Sequence, residues 1–324
     1  MKNNRVLVTG ATGFIGSHLT EFLVSSGYDV IAYDRYNING DFGWLENSKF
    51  KNDIKFVLGD IRDYDSVLNS MQKVDTVFHL AALCGIPYSY VSPMAYLRTN
   101  IEGTMNILNA ARTLNTNETI ITSTSETYGS AQYIPIDEKH PLVGQSPYSA
   151  SKISADQLAI SYFRSFKLPI KIIRPFNAYG PRQSLRAVIP TIISQCLNGT
   201  SIKLGNLHTK RDFTYVLDLC SAFLQIKKNS AFGEITNVGM NETISIDNLV
   251  TKIIKITNSN AKIETDLLRT RPESSEVDVL KCNNKKILKN TNWKPNFNID
   301  TGLEMTIDWF KKYSNKLDVS HYHI

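Results

Sequence analysis

Tyr148 and Lys152, in the stretch SPYSASK, stand four residues apart and so share one face of any helix that carries them. Ser146 suits the N-cap of such a helix and Pro147 its first position. A phenol beside an ammonium, at the positive end of a helix, is favoured as phenolate. Its pKa, ordinarily about 10, is therefore expected to fall toward neutrality and make Tyr148 a general base. Upstream, STSETYG (123–129) sets Glu126 among hydroxyls at the end of an apolar run. A carboxylate of ordinary strength can take a proton from carbon once an adjacent ketone has acidified it. On residue physics alone, a solvated glutamate where a strand meets water fits slightly better. His79 and Cys84 read as packing residues of a strand end and a loop.

A second constellation lies at the N-terminus. VLVTGATGFIGSHL places Gly10, Gly13 and Gly16 between a strand and a helix, spaced as GxxGxxG. Glycine there permits a tight turn and lets backbone N–H groups approach a pyrophosphate at the helix start. Asp34 ends the second strand, where an acidic residue grips a ribose diol and repels a 2′-phosphate, favouring NAD over NADP. The adjacent Arg35 works the other way. Asp60, ending the third strand, reads either as an adenine contact or as a turn former.

The elements that must position these groups alternate. Apolar runs at 5–10, 29–34, 54–60, 74–81, 118–124 and 169–176 read as buried strands. Helical spacing falls between them at 14–27, 64–72, 93–113 and 147–166. This predicts an α/β fold, a Rossmann-type doubly wound parallel sheet with both faces covered. After about residue 176 the rhythm loosens. Strands at 201–205 and 234–239 mix with helices near 187–198, 217–228, 246–257 and 301–313. The expected division is a cofactor-binding domain over 1–176 and a smaller mixed α/β substrate lobe over 177–324, with 211–232 able to return to the first.

Composition narrows the classes. The net charge of +6, from 36 basic and 30 acidic residues, is small and scattered, which argues against nucleic-acid or membrane binding. Four cysteines, Cys84, Cys196, Cys220 and Cys282, lie far apart without a CxxC pair, so no metal site is expected. The start, MKNNRVLVTG, runs straight into a strand, and no apolar run reaches the length of a membrane span. A cytoplasmic protein is the expectation.

Together TGATGFIG, GDIRD, HLAA, STSETYG, YSASK and RPFNAYGP resemble the extended short-chain dehydrogenase/reductase family, and within it the nucleotide-sugar 4,6-dehydratases. The resemblance spans nearly the whole chain, through RDFTYV, TNVG and the late VDVLKCNNKKILKNTNWKP. It implies tightly held NAD, a nucleotide-sugar substrate and a homodimer built through a four-helix bundle. It extends the cofactor set to Phe14, Ile15, Ile61, Leu80, Ala81, Ala82 and Thr99, beside Tyr148 and Lys152. Substrate contacts fall on Thr124, Asn177, Asn237, Arg186, Arg211 and Arg271, the arginines facing phosphate.

The implied chemistry runs in four steps. Tyr148 removes the O4 proton while C4 gives hydride to NAD, and Thr124 holds O4. Glu126 then takes the C5 proton, water leaves from C6, and hydride returns to C6. Thymidine-type dehydratases carry aspartate as the acid for the departing hydroxyl. Ser125 stands there instead, as in GDP-mannose-type enzymes, which leaves Glu126 itself or a Ser125 relay to protonate the leaving group. IPYSYVSP and SLRAVIPTIISQ are most similar to hexosamine dehydratases of the legionaminic acid pathway, implying UDP- or GDP-N-acetylglucosamine. The competing readings are UDP-glucuronate decarboxylase, a sugar-nucleotide 4-epimerase and a non-catalytic NAD-sensing protein.

Overall fold

Alternate residues of each strand point to opposite faces, and the two faces are buried under different helices. A computed structural model describes residues 4–266, 269 and 276–313. Its first strands are β1 (Arg5–Thr9), β2 (Asp29–Arg35), β3 (Ile54–Gly59), β4 (Thr76–His79), β5 (Glu118–Thr122) and β6 (Ile170–Pro175). With them run α1 (Phe14–Ser25), α2 (Tyr64–Ser70), α3 (Ile86–Val91), α4 (Pro93–Tyr96), α5 (Gly103–Thr113) and α6 (Pro147–Phe166). The second half adds β7 (Asn177–Tyr179), α7 (Val188–Asn198), β8 (Ser201–Leu204), β9 (Lys210–Arg211), β10 (Phe213–Tyr215), α8 (Val216–Asn229), β11 (Ile235–Val238) and α9 (Ile246–Thr257). Seven of these strands form one parallel sheet in the order β11-β6-β5-β4-β1-β2-β3.

The chain thus returns to the sheet after its second half has begun, since α8 packs on α1 and β11 pairs with β6. Val6 and Val8 of β1 enter the core under α1 and α8, and Leu7 enters the one under α2, α5 and α6. The first of these cores continues without a break into α7 and α9. That continuity explains why no linker shows in the sequence.

Two helical features depart from expectation. The run 93–113 is not one helix: a π-helical turn at Leu97–Glu102 separates α4 from α5. Short α3, bracketed by Pro87 and Pro93, had no helical spacing long enough to show. Among the described residues no helix is long and apolar enough to cross a membrane, and no group of His, Cys, Asp and Glu is placed to hold a metal.

Candidate active site

The glycine turn lies between β1 and α1, at the carboxyl end of an interior strand next to the central β4, where open α/β sheets bind ligands. Gly10 has φ +70°, and a Cβ on it would meet Ala81 backbone at 2.9 Å. A Cβ on Gly16 would lie 2.0 Å from the Gly10 carbonyl oxygen, which leaves no room for any side chain. Gly13 is the N-cap of α1 and offers no side-chain acceptor, so the first-turn N–H groups, Phe14 and Ile15 included, are left for an anion. Asp34 Oδ2 accepts the Thr12 N–H and hydroxyl, both at 2.7 Å, and Oδ1 accepts the Arg35 N–H. One lone pair on Oδ1 stays open to a ribose hydroxyl. This cradle fits the expected dinucleotide.

The other expected cofactor positions divide. Leu80, Ala81 and Ala82 follow β4 half-buried, and Thr9 Oγ1 accepts the N–H groups of Leu80 and Ala81 at 3.1 Å. Ile61 is buried against Gly103, and Thr99 is half-buried on the π turn. Asp60 is engaged by Arg62, whose guanidinium hydrogen bond holds its carboxyl below the usual range. Arg35 is exposed. His79 packs as expected, bridging Thr9 and Thr104 hydroxyls, and burial lowers its pKa to about 3.

The catalytic candidates come together at the carboxyl ends of β5 and β6. Beyond β5, Thr124 caps a 3₁₀ turn over Ser125–Tyr128, and its Oγ1 accepts the Glu126 N–H at 3.3 Å. Thr124 is also hydrogen-bonded to the Tyr148 phenol, and the Glu126 charge reaches that phenol. Among the described residues nothing donates to the Glu126 carboxylate, whereas Ser125 is buried. A full capping box, Ser146 with Ser149, starts α6 and fixes Tyr148 in its first turn. Tyr148 and Lys152 are buried, and Lys152 Nζ donates to the Thr122 carbonyl at 2.6 Å.

One expectation is overturned. The Tyr148 pKa does not fall: burial, then the Cys84 thiol and the Glu126 carboxylate, hold it well above 10, and the Thr124 hydrogen bond offsets only part. Lys152 is turned to a carbonyl, and burial lowers its own pKa. In this dry setting the cost of a phenolate outweighs the help of the ammonium. Cys84 lies exposed in the loop after β4, with its thiol within interaction range of Tyr148 and Lys152.

Several supporting residues gave no sequence signal. Asn100, on the π turn, bonds Leu83 backbone at both amide atoms and donates to Ser151 Oγ at 2.9 Å, tying the loop after β4 to α6. Beneath the catalytic turn, Asp156 Oδ2 accepts from Ser123 Oγ and from Arg174, each at 2.6 Å. Long-range pairs of this kind carry no spacing pattern.

The substrate expectations fare unevenly. Asn177 has a buried Oδ1 without a partner. Arg186 is exposed but close enough to the Tyr96 phenol to act on it, and Tyr96 stacks edge-on to Tyr148 at 6.0 Å. Arg211 is buried and lines, with Met240, Glu242 and Lys252, a cavity of about 400 Å³; its guanidinium pairs with Glu276 at 3.4 Å and donates to the Lys210 and Asp278 carbonyls. Asn237 is corrected: it is fully buried, with its amide taken by the Tyr128 hydroxyl (2.7 Å) and the Ile136 carbonyl (3.3 Å). It is an internal brace with no free atom for substrate. Arg271 lies outside the described residues.

Comparison with known proteins agrees with this geometry. The profile of the family described as GDP-mannose 4,6 dehydratase matches residues 7–306. A dTDP-D-glucose 4,6-dehydratase of Mus musculus is 32% identical, the match covering 95% of this chain and 89% of that protein. A UDP-N-acetyl-alpha-D-glucosaminuronate decarboxylase of Bacillus cytotoxicus is also 32% identical, over 96% and 99%. The solved dTDP-glucose 4,6-dehydratase DesIV of Streptomyces venezuelae, with NAD and TYD bound, superposes with a TM-score of 0.90 at 26% identity, covering 97% of this chain and 99% of that one.

Proposed function

The chain belongs to the GDP-mannose 4,6-dehydratase family of NAD-dependent nucleotide-sugar enzymes, and from that premise we propose that it dehydrates UDP- or GDP-N-acetylglucosamine to the 4-keto-6-deoxy product. The observation that carries dehydration is Glu126. Its carboxylate takes no hydrogen bond among the described residues and stands within electrostatic reach of Tyr148. Oxidation alone needs no such base.

When bound, NAD would accept two electrons from C4 and, once water has left, return them to C6 while C5 regains a proton, so that no cofactor is consumed. The residues do the proton work. Tyr148 is placed to accept the O4 proton as phenolate, a form that its burial opposes and that the positive nicotinamide of bound NAD would have to favour, with Thr124 orienting phenol and substrate hydroxyl together. Lys152 holds its charge against the Thr122 carbonyl at the base of the same turn. Glu126 then removes the C5 proton from the 4-ketone, and the elements of water leave across C5 and C6. Protonation of the leaving hydroxyl is assigned to Glu126, which carries the C5 proton at that point and whose carboxylate takes no other hydrogen bond among the described residues. The choice of N-acetylglucosamine is supported by the resemblance of residues 86–93 and 184–195, which flank Tyr96 and Arg186 at the cleft. A homodimer is supported by Leu97, Met105 and Phe166, left exposed on the π turn, α5 and α6.

The 32% identity to a decarboxylase favours one second reading, loss of carbon dioxide from a uronic acid substrate. Incubation with UDP- and GDP-N-acetylglucosamine, UDP-N-acetylglucosaminuronate and dTDP-glucose, followed by mass spectrometry, separates the two. Loss of one water with no net cofactor consumption is expected. Glu126→Gln should retain C4 oxidation and lose dehydration by about 10²–10⁴-fold; full dehydration in that variant would overturn the assigned base.

A further inference from the structure

Asp212 holds a carboxylate at 0% exposure, and no cation among the described residues is bonded to it. Its contacts are all to backbone. Oδ1 accepts the Met240 N–H at 2.7 Å and Oδ2 accepts the Cys282 N–H at 3.1 Å. Its own carbonyl accepts the Asn177 N–H at 3.0 Å. Arg211, the residue before it, lines the 400 Å³ cavity together with Met240 and Glu242, its guanidinium paired with Glu276. The turn is drawn in tightly: a Cβ on Gly239 would lie 2.4 Å from Cys282 Cβ and 3.2 Å from Asp212 Oδ1. Two amide oxygens beside these contacts, Asn177 Oδ1 and Asn241 Oδ1, are buried without partners. Buried amide oxygens that lack a donor are places where a ligand can supply one.

We propose that Asp212 is a positioning residue for the nucleotide half of the substrate. Its carboxylate clasps the 240–242 turn and the 279–282 segment, so that Arg211, Asn177 and Asn241 face one nucleoside diphosphate. The inference rests on the nucleotide-sugar reading above. A carboxylate is the group suited to this clasp because both of its oxygens accept, which an amide or a carboxylic acid does not match.

The clasp is held under tension. Burial pushes the Asp212 pKa up to about 7, against the pull of the Met240 and Cys282 N–H groups. The titratable groups facing it are Glu242 on the clasped turn, Cys282 on the clasped segment and the adjoining Arg211, with Glu138 acting on Cys282. As pH falls through 7 the carboxylate gains a proton, one acceptor becomes a donor facing an N–H, and the clasp opens.

The test is binding of UDP- and GDP-N-acetylglucosamine to NAD-loaded protein by calorimetry, in a Tyr148→Phe background that keeps the sugar from reacting. Neither diester titrates near neutrality, so the pH response belongs to the protein. Asp212→Asn should weaken the better ligand about tenfold at pH 8 with NAD affinity unchanged, the scale of one unsatisfied buried hydrogen bond. With Asp212 in place, affinity should fall about tenfold from pH 8 to pH 6, and in Asp212→Asn it should stay flat. The pH arm needs no variant at that position to fold. Unchanged affinity in Asp212→Asn, a flat pH response with Asp212 in place, or no binding of either ligand would overturn the clasp. Tight binding by the clasp in a Tyr148-intact protein that turns over no nucleotide sugar would instead overturn the proposed dehydration.

Discussion

Two buried aspartates brace the two halves of the cleft, and they are solved in opposite ways. Asp156, under the catalytic turn, is paired with Arg174, both at 0% side-chain exposure. Ser123 shares the same carboxylate oxygen, and the Tyr128 ring lies 4.7 Å from the guanidinium. Asp212, between the 240–242 turn and the 279–282 segment, has backbone N–H groups in place of a cation. The first arrangement neutralises charge inside the fold and fixes geometry. The second leaves a charge that protonation can switch off. The chemistry proposed for Glu126 and Tyr148 demands a turn that does not move, whereas the proposed nucleotide capture tolerates one that opens.

The comparison breaks most directly at Asp156. Asp156→Ala strands the Arg174 guanidinium in a dry interior and should cost about 3–5 kcal/mol in urea unfolding. Pairing it with Arg174→Met should recover much of the loss, because the uncompensated charge goes with it. A single-variant cost below about 1 kcal/mol would mean that the ion pair is no brace at all.

Stability against pH sharpens the other half. The folded pKa of Asp212, about 7, lies above its ordinary 3.8. Folding therefore favours the neutral acid, and this contribution is complete below about pH 4 and lost as pH rises through 7. Relative to Asp212→Asn, the parent chain should lose stability steadily from pH 4 to 7 in urea midpoints. Equal slopes in the two proteins would place Asp212 among ordinary ionised carboxylates. The stability and affinity limbs run in opposite directions, since the charge that helps capture the nucleotide strains the fold.

How much of this was legible depends on the range of the interaction. The Gly10/Gly13/Gly16 turn, Asp34 at its strand end, and Tyr148 with Lys152 on α6 are local patterns, and spacing alone exposed them. So did the parallel sheet, because buried strands announce themselves as short apolar runs. The bracing was invisible. Asp156 meets Arg174 across 18 residues and Asp212 meets Cys282 across 70, and no periodicity links such positions. Burial was hidden as well, which is why the Tyr148 pKa was read in the wrong direction. A neighbouring ammonium can be seen in sequence; the loss of solvent around a phenol cannot. Asn237 misled for the same reason, since an amide in TNVG looks alike whether it meets substrate or the Tyr128 hydroxyl.

That last contact offers a milder break. Tyr128→Phe removes the hydroxyl that donates to Asn237 Oδ1 at 2.7 Å and leaves a buried acceptor open, at a cost of about 2 kcal/mol. The substrate KM should hold steady if Asn237 is a brace. A large rise in KM with stability unchanged would return Asn237 to the substrate.

The smallest effect is expected at Ser146. Its side chain accepts the Ser149 N–H at 3.1 Å, and the Ser149 hydroxyl accepts the Ser146 N–H at 3.0 Å, closing the first turn of α6. Ser146→Ala should cost about 1 kcal/mol of stability, the usual worth of a cap. Tyr148 sits in that turn, so frayed geometry there reaches the phenol's hydrogen bond with Thr124 directly. The expected signature is a fall in kcat larger than in a surface variant of equal stability loss, with nucleotide affinity unchanged. Matching falls in kcat and affinity would show that the catalytic and nucleotide halves are braced as one unit, and the contrast between Asp156 and Asp212 would then be a difference of chemistry without a difference of role.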